Sequence, residues 1–238
     1  MTRTRFQQGL EELKQKLLQM AGMAEQAVDR VREAYRKRDV GLCQQVLEGE
    51  PAINRAEREI DELALDLLAM QQPMAVDLRF ILAVIKINAD LERVGDQAVN
   101  IAERVMDMSA YPAADLPVDL PRMASLAAGM VRRALEAFLQ EDAGLAQAVL
   151  EMDDLVDRMN REAYISMSKL VKTSPELTSQ ALDALLIARN LERVADHATN
   201  IAEDVIFWVR GADVRHGAGS EASREEDEAR GPAGDKPV

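Results

Sequence analysis

LERVGDQAVNIAERV, residues Leu91 to Val105, recurs as LERVADHATNIAEDV, residues Leu191 to Val205. Eleven of the fifteen aligned positions are identical, far more than chance supplies, so the chain reads as a duplicated unit of roughly 100 residues. The likeness extends upstream, where Asp39, Gly41, Leu42 and Val46 align with Asp142, Gly144, Leu145 and Val149. Within each copy Leu, Val, Ala and Ile recur at spacings of three and four, the stripe of a helix packed in a bundle.

Punctuation divides each copy into three helical stretches. Asp39 with Gly41 marks one break, repeated by Asp142 to Gly144 in the second copy, and Gln72-Pro73 marks another. Ser174-Pro175-Glu176 predicts an N-cap with proline at the first helical position. Ile53, Ala56, Ile60, Leu63, Leu67 and Met70 form a further bundle stripe. The boundaries expected are a first three-helix bundle over 1–110, a three-proline linker YPAADLPVDLP over 111–121 and a second bundle over 122–211. The segment 212–238 lacks an apolar stripe, carries seven acids and four bases, and is expected to be a disordered acidic tail.

Composition agrees with an all-α fold. Gly and Pro number 12 and 8 in 238 residues, aromatic residues make up 3%, and apolar residues 47%. The 29 basic against 42 acidic side chains leave a net charge of −13, which argues against a nucleic-acid partner because phosphate attraction needs a basic face. The single cysteine, Cys43, cannot form an internal disulfide, and no stretch of about 18 apolar residues occurs. A cytoplasmic address is expected.

The repeated segment also carries oxygen ligands. Glu92, Asp96, Asn100 and Glu103 fall within about 80° of one another on a helical wheel, opposite Leu91, Val94, Ala98, Ile101 and Val105. Glu192, Asp196, Asn200 and Glu203 repeat the pattern. A second set precedes each: Glu50 and Asn54 in the first copy, Asp153 and Asp157 in the second. If the two helices of each copy run antiparallel as neighbours, these oxygens converge on a site for a hard or borderline cation such as Fe, Mn, Mg or Ca. In a chain that is 30% charged, an acidic helix face is ordinarily just solvated. Like charges one turn apart nevertheless cost roughly 0.2–0.5 kcal/mol per pair, and both halves bear that cost. Asn54 is a neutral ligand, and Pro51 between Glu50 and Asn54 predicts a helix start or a kink, so the first set is the weaker.

His197 stands beside Asp196, but its counterpart is Gln97, and a structural or solvated histidine is the expected role; His216 lies in the tail and is assigned none. Phosphate-loop, HExxH and GxSxG motifs are absent, as is the Glu-x-x-His of ferritin-like oxidases.

LLAMQQPMAVDLRFILAVIKINADLERVGDQAVNIAERV (Leu67 to Val105), followed by the second LERVADHATNIAEDV, is very similar to the signature of the PhoU family. The resemblance extends nearly to Gly211. It implies two pseudo-symmetric three-helix bundles in tandem and a cytoplasmic negative regulator of high-affinity phosphate uptake and of the phosphate-starvation response. The implied partners are the phosphate transporter's ATPase subunit and a membrane sensor kinase. A homodimer and metal at paired [ED]xxxD motifs are implied as well, the motifs falling on Glu92/Asp96, Glu192/Asp196 and Asp153/Asp157, with Glu50/Asn54 departing from the pattern. The alternative is a metal-dependent enzyme built on a helical-bundle carboxylate site. It is the weaker reading because the carboxylates have no accompanying nucleophile or acid/base pair.

Overall fold

The computed structural model describes residues 2–70, 73 and 75–211. They form α1 (Thr2–Lys37), α2 (Val40–Met70), α3 (Ala75–Ser109), α4 (Leu120–Gln140), α5 (Ala143–Thr173) and α6 (Thr178–Arg210), with a 3-10 turn at Pro175–Leu177. Strands are absent among the described residues, and the fold is all-α, two pseudo-symmetric three-helix bundles in tandem. The expected tail, 212–238, and His216 within it lie outside the described residues, as does Gln72 beside Pro73.

The two equivalent breaks are built alike. Asp39 Oδ1 accepts from the backbone N–H groups of Gly41 and Leu42 at 2.9 and 3.2 Å. Asp142 Oδ1 accepts from Gly144 and Leu145 at 2.7 and 3.2 Å. Each aspartate thus satisfies two of the orphan donors that open a helix. The left-handed residue that reverses the chain is not glycine but Arg38 (φ 54°) or Glu141 (φ 53°). Gly41 and Gly144 serve a different need: a Cβ there would lie 3.1 or 3.0 Å from the capping oxygen.

Two expectations are adjusted. Ser174 makes no side-chain cap; Pro175 opens the 3-10 turn instead, and α6 starts at Thr178, whose Oγ1 donates to Pro175 O at 2.6 Å. Pro51 neither starts nor ends a helix, since α2 runs continuously through it with the ring exposed. At the start of α4, Asp119 Oδ1 accepts from Arg122 N at 3.1 Å, so the helix begins at Leu120, inside the proline-rich connection.

Helix α2 packs on α1 and α3, and α5 on α4 and α6; the halves meet through α3 against α6 and α1 against α4. Across the first junction Arg79 Nε donates to Trp208 O at 3.4 Å, Lys86 lies 3.2 Å from Asp204, and Arg104 lies 3.7 Å from Asp183. As numbers rise on α3 they fall on α6, so the two helices are antiparallel, and Val94 of one repeat crosses Val194 of the other. The stripe Leu91, Val94, Ala98, Ile101, Val105 and its copy Leu191, Val194, Ala198, Ile201, Val205 are all buried, in one core that spans both halves. At one end of this junction Trp208 packs on Phe80 and Phe138, ring centroids 5.1 and 5.2 Å away. None of the helices among the described residues is long and apolar enough to cross a membrane.

Candidate metal centre

Because the apolar stripe of α6 points at α3 and α4, the opposite edge of the helix is left along the seam with α5. That edge carries Glu192 and Asp196, one turn apart. On α5, Val156, Ala163 and Met167 are buried, and Asp153 and Asp157 fall beside them on the seam. One ligand oxygen from each of Asp153, Asp157 and Asp196 lies within 4.8 Å of the others. Asp153 and Asp157 are half-buried, and Asp153 Oδ1 is shielded from solvent without a hydrogen-bond partner.

The electrostatics record the crowding. Burial, then the charges of Asp157, Asp196 and Asp154, push the Asp153 carboxyl up to about 6. Asp196 is raised by burial and Asp157, with His197 and Arg193 opposing. Glu192 is raised by burial and by Asp196 and Asp157, against the pull of Arg189. Arg161 lies 3.8 Å from Asp157 on its exposed side. Carboxylates held together at such a cost form a donor set that suits a hard cation, since every donor is oxygen and one is both buried and unpartnered.

The first half is arranged differently. Asn54 Nδ2 donates to Glu50 Oε1 along α2, while Asn54 Oδ1 is shielded and unpartnered. Glu92 on α3 is raised by burial, then by Asp96 and Glu57, with Arg93 opposing and Glu50 adding the least. Asp96 is raised by burial and Glu50. The four side chains share the α2–α3 seam, but among the described residues the tight group of three acids forms in the second half.

Farther along the two stripes, Asn100 is exposed and Asn200 Nδ2 donates to Asp90 Oδ1 of α3 at 3.2 Å. Glu103 is exposed beside Arg104 at 3.8 Å, and Glu203 is half-buried farther along α6. His197 is buried in the α3–α6 junction, its Nδ1 2.9 Å from Asp90 Oδ1, the structural role expected of it. Cys43 is buried near the start of α2, its thiol pushed up to about 11 by burial and then Asp39.

Sequence reading did not anticipate the polar groups of this junction. Asp90, Asp183 and Asp204 are buried where α3 meets α6, and Asn88 donates to Asp61 Oδ1 and Glu57 O, each at 2.9 Å, across the α2–α3 seam. Apart from Arg93, 3.9 Å from Asp90 on the same helix, the partners named here lie 27 to 118 residues away, so local spacing does not announce these contacts between helices. An antiparallel pairing of the two repeats would have placed Asp90 against His197.

The raised carboxyls set a pH dependence. Asp153 has its folded-state value near 6 against an ordinary 3.8, so the folded chain binds more protons than the unfolded chain between those values. Stability from this group is fully present below about 4 and is lost as pH rises through 6. In a chelator, the urea midpoint is expected to fall between pH 5 and pH 7.5. Asp153→Asn is expected to flatten that fall; an equally steep fall in the variant would place its origin elsewhere.

Comparison with known proteins extends the resemblance to both halves. The family model described as "PhoU domain" matches residues 17–105 and 120–205. The chain is 40% identical over 212 residues to the phosphate-specific transport system accessory protein PhoU homolog of Pseudomonas putida, covering 89% of this chain and 83% of that one. Identity is 36% over 207 residues with the homolog of Aquifex aeolicus, covering 87% and 94%. The crystal structure of PhoU from Pseudomonas aeruginosa superposes with a TM-score of 0.83 at 38% identity, over 87% of this chain and all of that one (100%). The phosphate transport system regulatory protein PhoU from Streptococcus pneumoniae superposes at 0.78 with 25% identity, over 88% and 99%. A duplicated three-helix unit, the LERxxDxxxNIAE segment in both copies and matches over both halves lead to one conclusion: the chain belongs to the PhoU family.

Proposed function

We propose that this chain is an accessory protein of a phosphate transport system that restrains high-affinity uptake and the starvation response when phosphate is plentiful. It acts in the cytoplasm, as a homodimer, by binding the transporter's ATPase subunit and a membrane sensor kinase. The observation that carries the reading is the family match over both halves, with relatives whose names describe accessory and regulatory proteins. The site supports an adaptor over the alternative of a metal-dependent enzyme. His197 beside the carboxylates is turned into the junction against Asp90, and the sole cysteine is buried in the other half. Asp153, Asp157, Glu192 and Asp196 would hold a divalent cation, which when bound offsets their mutual repulsion and stiffens the α5–α6 seam.

An adaptor shifts a partner's equilibrium only by binding its two states unequally, with about 1.4 kcal/mol of difference for each tenfold shift. Deleting the gene in its host is therefore expected to raise phosphate uptake or starvation-gene expression severalfold in phosphate-rich medium. Re-expression of the parent chain restores repression. Unchanged uptake and expression in the deletion strain would overturn the regulatory reading.

A further inference from the structure

Beyond the carboxylates the α5–α6 seam opens into an apolar groove of about 700 Å³. Tyr164 and Ile165 on α5 are 66% and 67% exposed, and Leu182 and Leu186 on α6 are 52% and 45% exposed. Arg161 and Arg189 stand at the end nearest the acids. The duplication supplies an internal control. Helices α2 and α5 have the same length and align with Glu50 on Asp153, which sets Asp61 and Glu62 where the groove has Tyr164 and Ile165. On α3 the equivalents of Leu186 and Arg189 are Lys86 and Ala89. At three of the four exposed positions the first bundle forms the same seam with Asp61, Glu62 and Lys86, the fourth being Leu82, itself 38% exposed, so folding does not require apolar side chains at those three. Leaving four large apolar side chains in water along one strip is the mark of a surface with a partner.

We propose that this groove docks one amphipathic helix of a partner protein, with apolar residues at i, i+3/i+4 and i+7 and acidic residues on its flank. The strip is one helix seam wide, the size of a helix-in-groove site rather than of a broad interface. The charged residues of its lining are two arginines, Arg161 and Arg189, on a chain whose net charge is −13; they favour an acidic flank, in competition with Asp157, 3.8 Å from Arg161, and with Glu192 beside Arg189. A second copy seated by twofold symmetry would set the same arginine rim against itself. The chain's own segment 212–238 offers, beyond alanine and proline, only Val214 and Val238 as apolar residues. The proposal deepens the adaptor reading and rests on it. Its test is a binding measurement on the purified chain, so its failure is distinguishable from an absent deletion phenotype.

The probe is a fluorescein-labelled synthetic 18-residue helix with leucine at the apolar positions and glutamate on both flanks. It is compared with the same helix flanked by lysine, by fluorescence anisotropy on the full chain in chelator. The glutamate-flanked probe is expected to bind at least tenfold tighter than the lysine-flanked one. Tyr164→Asp/Ile165→Glu, which installs the first bundle's residues, is expected to abolish binding with the melting transition retained. Leu186→Lys is expected to weaken binding even though it adds a cation, because it removes an apolar anchor. The proposal is overturned if neither probe binds, if both bind alike, or if the double substitution leaves binding intact. It is likewise overturned, in favour of a second copy, if the parent is a dimer by light scattering and the double substitution makes it a monomer.

Discussion

Val194→Asp is expected to abolish the folded state. Val194 is fully buried where α6 crosses α3 opposite Val94, in the core shared by both bundles. The charged residues on either side of it in sequence, Arg193 and Asp196, are exposed, so the new carboxylate would be left without a partner. Burying an unpaired charge costs several kcal/mol after relaxation, against a total stability of about 5–15 kcal/mol for a typical domain. Far-UV circular dichroism is expected to show loss of the cooperative transition at 25 °C. Val194→Ala, which removes two methyl groups without adding charge, should cost only about 2 kcal/mol and remain folded. A melting curve for Val194→Asp close to that of the parent would refute the assignment of this crossing as the core of both halves.

Asp153→Ala/Asp157→Ala should produce two effects of opposite sign. Cation affinity, read by calorimetry with Mn or Mg, should fall at least about 100-fold, or about 2.7 kcal/mol, because two of the three converging oxygens are gone. The metal-free variant should meanwhile melt higher than the metal-free parent, since the repulsion that raises Asp153, Asp196 and Glu192 is removed. The corresponding change in the first half, Glu50→Ala/Asn54→Ala, should alter affinity much less. If the second-half variant binds as tightly as the parent, the seam is not the cation site.

The helices and breaks were legible because their causes are local. An aspartate at a helix start caps it through its own side chain, and the capping bonds of Asp39 and Asp142 agree to within 0.2 Å. The paired acids were legible for the same reason, one turn apart on one face. The wheel sets Asn200 on the acidic edge of α6, and the structure turns its amide onto Asp90 of α3, a contact the wheel does not show. What stayed hidden depends on contacts between the halves. Asp90 reads as one more charge on a helix until α6 is laid antiparallel beside it, and the exposure of Tyr164 and Ile165 is set only when α5 is folded onto α6. The 3-10 turn at Pro175–Leu177 escaped notice because Ser-Pro-Glu satisfies the rules for either kind of helix start.

The antiparallel crossing of α3 and α6 is, in form, an isologous contact made within one chain. A half-length ancestor bearing that apolar face would have buried it by pairing with its own copy, and every substitution would then have appeared on both sides of the axis. Within a single chain that constraint is absent. His197 stands where the other copy has Gln97, and meets Asp90 without Asp90 needing a twin. One seam concentrates carboxylates while the other carries Asn54, and one flank has Asp61 where the other has Tyr164. The near-symmetric body thereby has two chemically unlike faces.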